Sequence, residues 1–345
     1  MSTENNKRRK AVLLLNVGTP NSPEVGSVRK YLTEFLNDPY VINLPWLFRK
    51  ILVNLIIVPF RAPKSAKLYK QLWENEGSSL LSNTKKLQKK LALRIGANYE
   101  VFFAMRYGNP SIKSVLNEIA DKNFEELVVL PLFPQYALST TETAIQSVYK
   151  EVKKFNKFPA IRVIKQFYNY NEFINAWAER AKEYDLVNFE HVIFSFHGLP
   201  LSHITKAHPK IDSLKCNCNS ELPEYGMFCY KASCYETTRL MAEKLGLNKD
   251  QFSVSFQSRL TKNWLSPFTD DNIKNLAKQG KKSILIFAPS FVADCLETKV
   301  EIGIEYVELF RKSGGENLVL VESLNDEDEW IIALEKIIKS QYEND

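Results

Sequence analysis

Residues 283–306 read SILIFAPSFVADCLETKVEIGIEY, and the chain changes character at one proline within them. Ile284 to Ala288 is a short apolar run without alternation, the pattern of a strand buried on both faces of a parallel sheet. Pro289 stops it. Asp294, Glu297, Glu301 and Glu305 follow at helical spacing, and at roughly 100° per residue they fall within about an 80° arc of one α-helical face. Leu296, Val300, Gly303, Val307 and Phe310 lie opposite as the core face. An acidic stripe on such a helix is ordinarily a solvated face. Here it directly follows the C-terminal end of a strand, where open α/β sheets place their sites. Asp294 falls near the helix N-terminus, where the dipole favours a carboxylate.

The same strand-then-helix unit recurs. Short β-like runs occur at 12–17, 100–105, 126–132, 161–167, 191–196, 252–257, 283–288 and 318–323. Helical patterns fall at 24–36, 63–73, 82–95, 111–121, 141–153, 172–184, 234–245, 270–279, 295–312 and 326–342. This alternation predicts a doubly wound α/β architecture. The strands divide into two sets of four whose first members end alike, in Val17-Gly18-Thr19-Pro20 and His197-Gly198-Leu199-Pro200. The third members also end at prolines, Pro131, Pro134 and Pro289. The expectation is two similar domains, 1–170 and 171–325, each a four-stranded parallel sheet flanked by helices, with a cleft between them. The last helix, within 326–345, would pack back on the first domain.

The totals set limits. The chain has 345 residues, 45% of them hydrophobic and 25% charged, which is ordinary for a soluble globular protein. A net charge of +6 is too diffuse to argue for nucleic acid. The basic run Lys7-Arg8-Arg9-Lys10 reads as a disordered tail. No signal-peptide pattern is visible, and the longest apolar stretch, 44–60, is broken by Arg49, Lys50 and Asn54. It falls short of the roughly 20 residues a spanning helix needs. The chain therefore reads as cytoplasmic, where cysteines are thiols or metal ligands rather than disulfides. Neither a Walker-type phosphate loop nor a G-x-G-x-x-G fingerprint occurs, which argues against nucleotide chemistry.

Three features could carry chemistry. His197 ends a buried strand and precedes Gly198, so its imidazole could take protons near neutral pH or ligate a metal. With carboxylates across a cleft, such a site suits Fe²⁺ or Zn²⁺ better than Mg²⁺. Cys216, Cys218, Cys229 and Cys234 form C-x-C-x₁₀-C-x₄-C. Their spacing is atypical for zinc, and a [2Fe–2S] cluster, a structural zinc ion and plain thiols all stay open. The stretch 44–60, with Arg61, Lys64 and Lys67 after it, is either a buried helix or an apolar lip that touches a membrane or a large apolar ligand.

At this point the sequence closely resembles the ferrochelatases, which insert ferrous iron into a porphyrin. The resemblance is carried by Leu15-Asn16-Val17-Gly18-Thr19-Pro20, Ser195-Phe196-His197-Gly198-Leu199-Pro200, Phe256-Gln257-Ser258-Arg259 with Trp264, and Asp294 to Tyr306. Met105-Arg106-Tyr107, Pro134-Gln135-Tyr136 and Ser139-Thr140-Thr141 add to it. It implies two Rossmann-like domains with the porphyrin in the cleft. His197 matches the histidine that takes pyrrole protons or ligates iron, Glu297 the metal-site glutamate, and Asp294 and Glu301 the acids that continue the file. Arg61, Tyr69 and Ser78 match positions that hold the porphyrin or its propionates, with Val17, Met105, Arg106, Tyr107, Gln257 and Trp264 also at the pocket.

The reaction implied is insertion of Fe²⁺, a substrate, into protoporphyrin IX with release of two protons, the terminal step of haem synthesis. Coproporphyrin III as substrate, or a non-catalytic tetrapyrrole or metal carrier, are the alternatives. Val17 stands where family members carry tyrosine or smaller side chains, which favours protoporphyrin. Cys295 replaces a histidine in the family's Asp-His-x-Glu-Thr pattern. Animal members hold a cluster through a C-terminal extension that is not expected here, and Leu138 stands where their internal cysteine would be. The insertion 212–234 instead resembles that of bacterial members with an internal [2Fe–2S] cluster, with structural zinc as the alternative. The partners implied are a porphyrin and ferrous iron, without nucleic acid. The chain would be a monomer or homodimer, cytoplasmic, touching the inner face of the membrane through 44–60.

Overall fold

In the computed structural model, residues 9–208 and 216–342 are described, with Tyr225 described for its backbone alone. Lys7 and Arg8 of the basic run, residues 212–215 of the cysteine insertion and the last three residues of the C-terminal segment lie outside that range. Ten strands occur among the described residues: β1 (Lys10–Thr19), β2 (Trp73–Glu74), β3 (Gly77–Ser78), β4 (Tyr99–Gly108), β5 (Glu126–Pro131), β6 (Ala160–Val163), β7 (His191–His197), β8 (Phe252–Gln257), β9 (Ser283–Phe287) and β10 (Asn317–Leu320). β2 and β3 form a small antiparallel hairpin, and the other eight correspond to the expected runs.

The fold is α/β, with two four-stranded parallel sheets in the orders β4-β1-β5-β6 and β10-β9-β7-β8. Counted within its own sheet, each has the order 2-1-3-4, the second being the mirror listing of the first. The chain divides into two compact units. One comprises Met1–Leu132, Leu138–Gln166 and Ile338–Asp345, the other Phe133–Ala137 and Phe167–Ile337. The final helix, Asp328–Lys339, thus belongs to the second unit up to Ile337, and the chain from Ile338 onward to the first.

In the first unit, Ala11 to Leu15 are all completely buried, as a central parallel strand requires. Leu13 and Leu15 pack with Phe102, Leu127 and Val129 and with Leu116 and Ile119 of the helix Ile112–Ala120. Near the end of β1, Gly18 has a φ of +108°, and a Cβ there would lie 1.8 Å from the carbonyl oxygen of Tyr107. Only glycine lets the two strand ends approach so closely. In the second unit Ile193, Ile284 and Ile286 pack against Ile273, Ile302 and Phe310.

Two helices depart from the expected geometry. The acid helix is a π-helix over Glu297–Tyr306, continuing as an α-helix over Val307–Lys312. An i→i+5 ladder takes somewhat more than four residues per turn. The buried residues are Thr298, Val300, Ile302, Tyr306 and Phe310: of the expected core face Val300 and Phe310 are buried, whereas Leu296, Gly303 and Val307 are only partly so. Glu297, Glu301 and Glu305 still share a face, because their spacing of four suits the wider turn. Asp294 lies before the helix rather than on it.

The stretch 44–60 is helical, running as Trp46–Ile51, a π segment Leu52–Ile57 and Val58–Gln71. The helix was expected to start at Pro63, which is instead inside it. The widened turn directly precedes Pro59, a residue that cannot donate and whose ring crowds the carbonyl one turn back. Val53, Val58, Ala62 and Ala66 pack on Val28, Leu32 and Leu36. The other face is open: Trp46, Phe48, Leu55 and Phe60 are 65%, 66%, 69% and 73% exposed. Among the described residues no helix is long and apolar enough to cross a membrane.

Candidate active site

In the sheet order β10-β9-β7-β8 the chain reverses direction between β7 and β9, so the carboxyl ends of these strands form a topological switch point. His197 is the last residue of β7. Its Nδ1 lies 2.6 Å from the carbonyl oxygen of Gly198. A carbonyl can only accept, so Nδ1 carries the hydrogen and Nε2 presents a lone pair. The Tyr230 hydroxyl donates to the His197 carbonyl at 2.8 Å, and the rings of Trp264 and Phe291 stand 6.4 and 6.2 Å from the imidazole. Gly198 is required here, since a Cβ would sit 2.8 Å from the Gln257 carbonyl and 3.3 Å from Trp264.

Gln257 is the register partner of His197 on β8. Its buried amide accepts from the Ser195 hydroxyl at 2.7 Å and directs Nε2 toward the Glu297 carbonyl and the Glu301 carboxylate, at 3.4 and 3.5 Å. Glu301 is held more firmly by other donors. The Ser258 N–H and the Tyr306 hydroxyl both reach Oε1 at 2.8 Å, and the Ser258 hydroxyl binds Oε2. Burial, reinforced by the Glu301 charge, pushes the Tyr306 phenol far up, so it stays a donor. Ser258 adopts φ +61°, a left-handed conformation uncommon outside glycine.

The acids differ in environment. Glu297 and Glu301 are half-buried and Glu305 is exposed. The Glu305 carboxyl is shifted upward by partial desolvation and by the charges of Glu301 and Glu308. Asp294 is 3% exposed with both oxygens occupied. Thr298 donates to Oδ1 at 3.0 Å, the Ser323 N–H at 3.4 Å, and Asn325 Nδ2 to Oδ2 at 2.8 Å. The Asp294 N–H returns a bond to Asn325 Oδ1 at 2.9 Å. Cys295 is partly buried, and its thiol is pushed up by burial and by the adjacent Glu297 charge.

The cysteines separate. The sulfurs of Cys218 and Cys229 lie within 4.8 Å of each other, and their interaction raises the Cys218 thiol and lowers that of Cys229. Cys216 contacts Cys218. His208, which the sequence reading left without a role, joins them: its Nε2 is 3.1 Å from Cys218 Sγ. The ligand atoms of His208, Cys218 and Cys229 lie within 4.8 Å of one another. Cys216 and Cys234 are both outside this group, and burial pushes the Cys234 thiol up.

In the first unit the other named residues occupy varied settings. Val17 is partly exposed at the end of β1, and Arg61 is exposed on the apolar helix. The Tyr69 ring packs on Trp73 at 6.2 Å. Ser78 caps the helix Ser79–Arg94, accepting from the Leu81 N–H at 3.3 Å. Met105 and Tyr107 are buried and Arg106 is partly so. Arg106 and Tyr107 converge on Asp38, which sequence reasoning missed. Asp38 Oδ2 accepts from Arg106 at 2.5 Å, Tyr107 at 2.8 Å and Thr143 at 2.6 Å. Ser258, Tyr306, Asn325 and Ser195 were also missed as supporting residues. Ser258 and Tyr306 lie inside stretches already singled out, whereas Asp38 and Asn325 reach their partners only through the fold.

The fold is that of the metal chelatases. SirB from Bacillus subtilis, solved with Fe³⁺, superposes with a TM-score of 0.58 at 11% identity, covering 97% of this chain and 96% of that one. The chain belongs to the ferrochelatase family: the ferrochelatase family model matches residues 9–342. A ferrochelatase of Legionella pneumophila (strain Philadelphia 1) is 42% identical over 335 residues, covering 97% of this chain and 100% of that protein. One of Coxiella burnetii (strain Dugway 5J108-111) is 41% identical over 339 residues, covering 97% and 94%. The protein is accordingly an enzyme, a metal chelatase of the lyase class.

Proposed function

We propose that the chain inserts Fe²⁺ into protoporphyrin IX, completing haem synthesis, with His197 as the base at the ring nitrogens. The supporting observation is the fixed tautomer of His197 at the switch point, which aims the lone pair of Nε2 away from its own backbone. A free porphyrin carries two N–H protons that leave as the metal enters: two N–H bonds break, four Fe–N bonds form and two protons pass to solvent. His197 Nε2 accepts a proton at the ring. Glu297, half-buried beside the Cys295 thiol, supplies an oxygen ligand to the arriving ion, and Glu301, oriented by Ser258 and Tyr306, receives protons or metal behind it. With both oxygens occupied, Asp294 positions the start of the acid helix, and exposed Glu305 is an outer relay to water.

Val17, Arg61, Tyr69, Ser78, Met105, Arg106 and Tyr107 form the porphyrin-holding set of the first unit, and Gln257 and Trp264 that of the second. The apolar Val17 side chain offers a propionate no hydrogen bond and suits the vinyl groups of protoporphyrin. The exposed Trp46, Phe48, Leu55 and Phe60, followed by exposed Arg61, Lys64 and Lys67, suit an apolar lip with a basic flank that rests on an anionic membrane surface. The enzyme would then work from the cytoplasm, as a monomer or homodimer, on a substrate drawn from that surface. For the cysteine segment we infer a resident metal group, [2Fe–2S] or zinc, separate from the iron substrate. Parallel assays with protoporphyrin IX and coproporphyrin III decide the substrate: a kcat/KM favouring protoporphyrin at least about tenfold, equivalent to about 1.4 kcal/mol, supports this reading, and the reverse preference overturns it.

A further inference from the structure

We infer that the resident metal of the cysteine segment is a single tetrahedral ion bound by His208, Cys216, Cys218 and Cys229, and that Cys234 is not a ligand. This rests on the reading that the segment binds metal at all, and sharpens it. His208, Cys218 and Cys229 are 1%, 0% and 0% exposed, and Cys216 is 6% exposed. Cysteine thiols pack readily in a core, but a buried imidazole among them costs free energy unless its nitrogens are engaged. Nδ1 of His208 is 3.0 Å from the Ile204 carbonyl, so it donates there and turns the lone pair of Nε2 toward Cys218. A backbone carbonyl that fixes the tautomer in this way is the usual support of a metal-bound histidine.

The dimensions favour one ion. Zinc–sulfur and zinc–nitrogen bonds of about 2.3 and 2.0 Å give tetrahedral edges of roughly 3.5–3.8 Å. The three ligand atoms are already within 4.8 Å of one another, with Nε2 and the Cys218 sulfur at 3.1 Å. A two-iron cluster spreads its ligands over two metals and needs a wider set. Cys216 lies outside that 4.8 Å group in this structure, but it interacts with Cys218 and accepts from Lys231 Nζ at 3.7 Å, a donor that stabilises a thiolate, so a small side-chain shift would make it the fourth ligand. The Cys229 sulfur accepts from the Ala232 N–H at 3.5 Å at the start of the helix Tyr230–Lys244. Cys234, one turn into that helix and outside the group, is completely buried near Tyr230, whose hydroxyl donates to the His197 carbonyl. The ion would anchor the N-terminus of a helix whose first residue holds the His197 carbonyl, giving it a positioning role.

X-ray absorption at the metal edge of the full-length protein as purified, with metal and acid-labile sulfide analysis, tests this without a variant. The expected result is about one zinc ion per chain, no sulfide, and a shell of three sulfurs and one nitrogen. Competition with a chelator adds the ligand assignment. His208→Ala should weaken retention at least about tenfold, while Cys234→Ser should retain metal as the parent does. A four-sulfur shell, an iron–sulfide centre in any ligand set, or loss of metal in Cys234→Ser would overturn the inference. A chain that binds no metal in this segment overturns it together with the resident-metal reading. Neither outcome touches the porphyrin assays, which read a different site.

Discussion

The carboxylate of Glu301 accepts the backbone N–H of Ser258 at 2.8 Å, and Ser258 presents that N–H from a left-handed backbone with φ +61°. Strain of this kind costs on the order of 1 kcal/mol and is retained where surrounding structure over-determines it. The Ser258 hydroxyl and the Tyr306 phenol complete the clamp. If Glu301 serves the chemistry, the clamp is a positioning device. Tyr306→Phe should then lower kcat for Fe²⁺ insertion by about tenfold, the value of one hydrogen bond to a charged group, with the porphyrin KM little changed. A variant that loses thermal stability but keeps its kcat would show the clamp to be structural only.

Asp294 and Asn325 form a reciprocal pair, N–H to Oδ1 one way and Nδ2 to Oδ2 the other. Asn325 has φ +46°, which asparagine tolerates better than most residues. Asp294→Ala would leave the buried donors of Thr298 and Asn325 unpaired, and should cost about 2–3 kcal/mol in urea unfolding. Because the two residues share one network, combining it with Asn325→Ala should cost less than the sum of the single losses. Unchanged stability with abolished turnover would instead make Asp294 a direct carrier of iron or protons.

Asp38 gathers Arg106, Tyr107 and Thr143 on one oxygen while Oδ1 accepts from the Tyr40 N–H at 2.8 Å. Its side chain is 2% exposed and that of Arg106 21%. Removing the acid strands a partly buried guanidinium, so Asp38→Ala should destabilise by about 3 kcal/mol. Asp38→Asn, which keeps an acceptor, should cost less. Equal losses in the two variants would mean that volume rather than charge matters there.

His191 begins β7 as a buried residue, with Nε2 2.9 Å from the Ser253 hydroxyl. Burial, and then the nearby Lys281 charge, hold its pKa below the ordinary value of about 6.5. The unfolded chain therefore binds the proton more readily than the folded one. The stability this contributes is complete above about pH 6.5 and is lost as pH falls toward and through the lower folded pKa. His191→Gln should flatten the acid side of the melting-temperature profile between pH 7 and pH 5 relative to the parent. Parallel profiles would show that His191 does not titrate on unfolding.

Much of this was legible in the chain itself. Apolar runs such as Leu13 to Leu15 and Ile284 to Phe287 identify their strands because burial on both faces leaves no room for alternation, and Gly18 and Gly198 mark the ends where backbones close on a neighbouring strand. The π-helix was not legible. The residue types of 297–306 fit an α-helix as well, and only packing of Ile302 and Tyr306 into the second core selects the wider turn. Nor could spacing recruit His208 or show that Cys218 and Cys229 are the cysteines gathered with it, because that grouping depends on where the helix Tyr230–Lys244 begins. Sequence periodicity placed that start at Cys234, one turn too late.

The account centres on His197 as the base that takes pyrrole protons. The most direct measurement is steady-state Fe²⁺ insertion into protoporphyrin IX by the purified full-length protein and by His197→Ala, with porphyrin affinity determined separately by fluorescence quenching. The expected result is a fall in kcat of at least about 100-fold, the lower end for loss of a general base, with porphyrin affinity retained. A His197→Ala protein that binds porphyrin and inserts iron at the parent rate would contradict it.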